Sequence, residues 1–215
     1  MDQTLVIRKE LPPEAYLDEL VAIDLEIYGI PEGKLHRPVG TFACCSVYME
    51  RDVGTQVVYQ FYDSHDIPEA IRRLQAGKWV FQNGMFDLRQ LRRWTTVEPR
   101  PMWDTKIVDQ GLWGGYYSRF DLGALSLRYL HEAMDKSVRD EFPTATSMTE
   151  EMEQYAALDP IVTMRVALEQ MNYIDDNEIS MDHYWKADLP ATWAILDMPP
   201  ALVDVNNWEA LAKDF

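Results

Sequence analysis

Cysteine is almost absent from this chain: of 215 residues only Cys44 and Cys45 carry a thiol. Neighbouring cysteines on a strand point to opposite faces and rarely pair, which argues against a disulfide framework. No second cluster of cysteine or histidine accompanies them, which argues against structural zinc. Both read as reduced core residues of an intracellular protein. Long apolar runs are missing too. No stretch approaches the ~20 residues of a membrane span. The N-terminal MDQTLVIRKE lacks the basic-then-apolar layout of a signal peptide. Positive charge is scarce: 20 Lys and Arg face 36 Asp and Glu, a formal net charge of −16. That argues against a protein that grips duplex nucleic acid over a broad basic face. It leaves room for an enzyme that takes a short single-stranded end through metals and a few aromatics. No internal repeat or low-complexity segment is visible.

What is present is a large apolar inventory, 47% of the residues, enough to pack one sizeable core. The stretch VAIDLEIYG, Val21 to Gly29, is the most informative. A short apolar run ending in a turn signal reads as a buried strand. Side chains alternate along it, so Asp24 and Glu26 share a face. Two carboxylates side by side at a strand end repel each other and lose hydration. A divalent cation such as Mg2+ or Mn2+ would offset both costs. Two acids simply facing water is the alternative.

The chain then reads in order. LVIRK is compatible with a short strand, and the residues from Pro12 to Leu20 with a short amphipathic helix. Tyr28 to Gly40 is a loop rich in glycine and proline, with the basic residues Lys34, His36 and Arg37. Thr41 to Met49 and Thr55 to Tyr62 form a hairpin around a turn at Arg51 to Gly54. A helix from Pro68 to Gln75 precedes the strand WVFQ, which runs into the helix of NGMFDLRQLRRW with Asn83 as N-cap. Asp87 then lies one turn into a helix that starts at a strand's C-terminal end, where open α/β sheets place their sites. Asp104 ends another strand and caps the helix from Thr105 to Trp113. Phe120 to Leu130 is helical, and Asp135 to Thr146 is a loop. Ser147 and Glu150 form a capping box. Because the residue before a proline avoids helical backbone, a break is expected at Asp159, ahead of Pro160. After Asp175 the sequence is broken by Pro190, Pro199 and Pro200. Residues 1–174 thus read as one domain and 175–215 as a helical connector that packs on it or leads elsewhere.

Four acids, Asp24, Glu26, Asp87 and Asp159, with Tyr155 four residues before the last, carry a resemblance. AIDLE, FQNGMFDLRQL and EQYAALDPIVTMRV resemble the three motifs of the DEDDy branch of the DnaQ-like 3'-5' exonucleases. WDTKIVDQGL and LGALSLRYL resemble the helices between them, and order and spacing agree from Asp2 to Glu169. Within the family the text is most similar to the proofreading domain of family A DNA polymerases. LPATWAILDMPPALVDVNNWEAL resembles the segment joining such a domain to a polymerase domain. The ribonuclease D branch is less similar, because its Trp and Arg-Pro-Leu ahead of the third motif are missing. The His-type branch would have histidine at Gln154.

The resemblance implies an α/β, ribonuclease H-like fold: a mixed sheet of about five strands with helices on both faces. It implies phosphodiester hydrolysis at the 3' end of single-stranded DNA with two divalent ions, Mg2+ or Mn2+. Asp24, Glu26 and Asp159 would hold the ion that activates water. Asp24, with Asp87 in support, would hold the one that stabilises the leaving 3' oxygen. Tyr155, whose phenol has a reference pKa of about 10, would orient the water rather than act as a base. Asn83, Ile27, Tyr28 and Phe86 are candidates for holding the terminal nucleotides. Two rivals remain: an RNA-trimming exonuclease of the ribonuclease D type, and a catalytically silent domain of a polymerase.

Overall fold

The strand that carries the first two acids lies inside the sheet. In a computed structural model that describes residues 4–29, 39–51, 54–135 and 137–198, it is β2 (Leu20–Tyr28). Val21, Ile23, Leu25 and Ile27 are buried in the main core, while Asp24 and Glu26 occupy the alternate positions. The sheet has six strands in the order β1-β4-β3-β2-β5-β6, and helices cover both sides. β3 (Thr41–Tyr48) runs antiparallel to β2 and to β4 (Thr55–Phe61). LVIRK supplies the sixth strand, β1 (Thr4–Arg8), parallel to β4. β5 (Lys78–Phe81) lies parallel to β2, and β6 (Met102–Asp104) parallel to β5. The register of β2 on β3 shifts between Glu26 and Ile27, which places an extra residue, Ala43, on β3 just past the second acid. Such bulges bend a strand and re-aim the neighbouring side chains.

The parallel strands end at the same edge. β5 leads into α2 (Met85–Leu91) and β6 into α3 (Thr105–Trp113). α1 (Ile67–Leu74) precedes β5, and α4 (Leu122–Leu125) continues as a wider turn from Ser126 to Leu130. α5 (Glu150–Asp176) is the long helix, with Ala157, Ile161, Met164 and Ala167 buried in the main core. α6 (Leu189–Asp197) follows it. The segment between them docks on β6: the Tyr184 hydroxyl donates to the Met102 carbonyl at 2.7 Å and accepts from the Asp104 N–H at 2.9 Å. Trp193 Nε1 donates to the Arg100 carbonyl, and Arg92 pairs with Asp197. Among the described residues no helix is long and apolar enough to cross a membrane.

Several local expectations are corrected. Residues 12–20 form no helix. Pro13 disfavours helical backbone at Pro12. The N–H groups of Ala15 and Asp18 bond the Arg73 and Ala76 carbonyls rather than their own turn. Asn83 does not cap α2; its φ is +63° and the cap is Gly84. A Cβ on Gly84 would meet Phe81 Cβ at 2.7 Å, so only glycine fits. The cap of α5 is Thr149, whose hydroxyl accepts from Met152 N–H, rather than Ser147. No break occurs at Asp159. α5 passes straight through Pro160, which is buried with Ala156, Ala157 and Ile161. Burial of that face outweighs the one hydrogen bond a proline removes. The stretch expected to be a loop contains a 3-10 turn, Ser137–Glu141, followed by the buried Phe142. The expected basic loop residues Lys34, His36 and Arg37, the centre of the β3–β4 turn, and the connector beyond Met198 lie outside the described residues.

Candidate active site

β2 contributes Asp24 and Glu26, and α5 crosses β2 so that Asp159 meets them. Ligand oxygens of these three side chains all lie within 4.8 Å of one another. Asp87, on the first turn of α2, stands beside this group, and its Oδ1 accepts from Leu25 N–H at 3.0 Å. All four acids line one cleft of about 380 Å3. Tyr155 lines it too, one turn before Asp159 on the same helix face, its ring packed on Phe142 at 6.2 Å.

The electrostatics follow from concentrating acids in a shielded place. Burial, then the charge of Asp159, pushes the Asp24 carboxyl up to about 8, and Arg139 pulls the other way. Burial and the charges of Asp24 and Asp159 raise Glu26 well above the usual carboxylate range. Asp87 is raised by burial and by Asp24, in spite of its bond from Leu25. Among the described residues Asp24 Oδ2 is buried with no hydrogen-bond partner, an acceptor whose desolvation no donor offsets. A cluster of hard oxygen donors, mutually repelling and one of them unsatisfied, suits a divalent cation of the Mg2+ or Mn2+ type. The Tyr155 phenol is pushed upward by burial and by the charges of Asp159 and Glu26. It is therefore protonated at neutral pH and is a hydrogen-bond donor, not a base.

Of the residues expected to hold nucleotides, Asn83, Ile27 and Phe86 line the cleft. Tyr28 does not; it stacks on Phe142 at 6.3 Å. Asn83 is held by two others. Its N–H donates to Asp104 Oδ1, and its side-chain oxygen accepts from Lys106 Nζ at 2.9 Å. Asp104 is the hub of this corner, accepting from the N–H groups of Asn83, Gly84, Lys106 and Ile107. It caps α3 as expected, and it also fixes the turn that delivers Asp87. Sequence reasoning missed Arg139, Phe142 and Met134 of the cleft wall. They sit in the segment that carries no helical or strand periodicity, so no pattern marked them.

Comparison with known proteins gives the family. A family model described as 3'-5' exonuclease matches residues 12–173, and the chain belongs to that family. It is a 3'-5' exonuclease of the DnaQ-like group, an enzyme class that depends on divalent metal. No curated protein sequence matches the chain. Among solved structures it resembles Brucella melitensis NrnC bound to pGG, at 21% identity and TM-score 0.65, covering 90% of this chain and 93% of that one. It also resembles Brucella melitensis NrnC with bound Mg2+, at 22% identity and TM-score 0.63, covering 89% and 92%. Escherichia coli RNase D, an exoribonuclease involved in structured RNA processing, aligns at 14% identity and TM-score 0.61, covering 86% of this chain and 46% of that one. These likenesses support the ribonuclease H-like fold.

Proposed function

We propose that the chain removes nucleotides from the 3' ends of short single strands, with RNA the preferred substrate. The observation that carries the reaction is the Asp24, Glu26 and Asp159 triplet with Tyr155 beside it in one cleft. Two features support short strands: the small cleft, and a net charge of −16 that repels a long polyanion. The pGG bound in one NrnC structure supports a short strand, and the structured RNA processing of RNase D supports RNA. Single-stranded DNA trimmed beside a polymerase domain is the second reading, favoured by the three sequence motifs; it would use the same acids. The catalytic domain on either reading is 1–174. Within 175–215, the part through α6 rides on β6 and α2.

Asp24, Glu26 and Asp159 would hold one divalent ion, and Asp24 with Asp87 a second, Mg2+ or Mn2+. Divalent ions so bound lower the pKa of a water and stabilise negative charge on phosphate oxygens. Tyr155 donates its hydroxyl hydrogen to orient the attacking water against the terminal phosphodiester. Ile27 and Phe86 offer apolar surface to the last nucleotide, with Asn83 at the edge and Tyr28 bracing Phe142. Water oxygen bonds to phosphorus, the 3' oxygen of the upstream nucleotide leaves and takes a proton, and a nucleoside 5'-monophosphate is released.

Digestion of matched 5'-labelled RNA and DNA strands of two to twenty nucleotides, with Mg2+ or Mn2+ and with EDTA, tests this reading. A metal-dependent descending ladder on short RNA is the expected result. A ladder on DNA alone would favour the second reading, and inertness on both would overturn the enzymatic assignment of these residues.

A further inference from the structure

Two arginines line a cleft whose floor holds four carboxylates: Arg89 and Arg139. Arg89 is half-buried on α2, beside Asp87. Arg139 is exposed, on the 3-10 turn Ser137–Glu141. That turn is fixed at both ends. Asp135 Oδ1 accepts from the Ser137 N–H at 2.9 Å, and the Phe142 N–H donates to the Arg139 carbonyl. Phe142 is itself buried against Ala43, Met152 and Tyr155, so the turn is tied to the wall that carries Tyr155. Among the described residues no carboxylate pairs with Arg139, although Asp24, Glu26 and Tyr155 all feel its charge.

A phosphodiester entering this cleft brings negative charge toward a basin of acids. At the turn ending β5 the N–H groups of Asn83 and Gly84 are not available to receive it, because they already bond Asp104. A planar guanidinium on an anchored turn is suited to phosphate oxygens, since it presents paired donors in a fixed fork. We propose that Arg139 binds the phosphate of the 3'-terminal nucleotide, the group released as a nucleoside 5'-monophosphate. This rests on the exonuclease reading above.

The test is calorimetric binding of adenosine 5'-monophosphate and of adenosine, in Mn2+, to the full chain and to Arg139→Ala, Arg139→Gln and Arg139→Lys. The wild type is expected to prefer the monophosphate. Arg139→Ala and Arg139→Gln are expected to lose about tenfold or more of that affinity, with adenosine binding unchanged and Arg139→Lys intermediate. Thermal upshift by Mn2+, retained in all variants, separates this effect from a collapsed site; if Arg139→Ala loses it, Arg139→Gln decides. Monophosphate binding by the decisive variant equal to wild type, or a wild type without preference for the monophosphate, would overturn the proposal. A wild type that digests strands while Arg139 proves dispensable defeats this assignment alone; a wild type inert on every strand defeats the functional reading.

Discussion

The backbone N–H of Leu25 donates to Oδ1 of Asp87 at 3.0 Å, across 62 residues of sequence. Leu25 sits between the two acids of β2, so this bond fastens α2 to the strand at the site itself. The bond accepts either a carboxylate or an amide oxygen. The charge of Asp87, by contrast, works against folding beside Asp24. Asp87→Asn is therefore expected to raise the melting temperature of the metal-free protein while lowering nuclease activity roughly 100-fold or more. A melting temperature below wild type in EDTA would contradict this.

The same repulsion gives a pH dependence with a definite sign. Asp24 is pushed up to about 8 from a carboxylate's ordinary range, and Glu26 and Asp87 are raised as well. Raised acids bind protons more tightly folded than unfolded, so their contribution is present at low pH and is lost as pH climbs through the folded values. Between about pH 5 and 9 the metal-free melting temperature is expected to fall by roughly 5 °C or more, for about 2 kcal/mol. Saturating Mg2+ or Mn2+ is expected to flatten the curve. Melts across that range, with and without EDTA, check it; a metal-free curve that rises with pH would sink the argument.

Asp104 accepts four N–H bonds from two elements. Asp104→Ala leaves buried donors unmet and removes the cap of α3, at an expected cost of about 2–4 kcal/mol. Denaturant unfolding measures it. A loss under 1 kcal/mol would show that the corner does not depend on this side chain.

Tyr155→Phe keeps the ring on Phe142 and removes only the hydroxyl. Turnover is expected to fall roughly 10- to 100-fold, with Mn2+ affinity unchanged by titration. Weaker metal binding in this variant would contradict the orienting role.

Pro160 leaves the Ala156 carbonyl without its helical donor, since proline has no N–H. Pro160→Ala restores the donor and is expected to stabilise the fold by about 1 kcal/mol, some 2–4 °C. A lower melting temperature would mean that the buried ring contributes more through packing than it costs in hydrogen bonding.

The acids, Tyr155 and the cap by Asp104 were legible because each rests on a short stretch: an alternating strand, or a residue at a helix start. The family followed from their order. What was not legible depends on distant partners. Asn83 adopts left-handed backbone because Asp104, 21 residues away, accepts its N–H. α5 ignores the local objection of Pro160 because the sheet buries that face. Arg139 has no periodic signal, and its place is fixed by the burial of Phe142.

The site draws on both ends of the described chain, and this has a consequence in time. During synthesis, a nascent polypeptide complete through residue 149 already holds Asp24, Glu26 and Asp87, yet lacks Tyr155 and Asp159. Its triplet is one ligand short, and the long helix that covers β2 has not been made. The three acids of the candidate site can thus meet only once the chain has been made as far as Asp159.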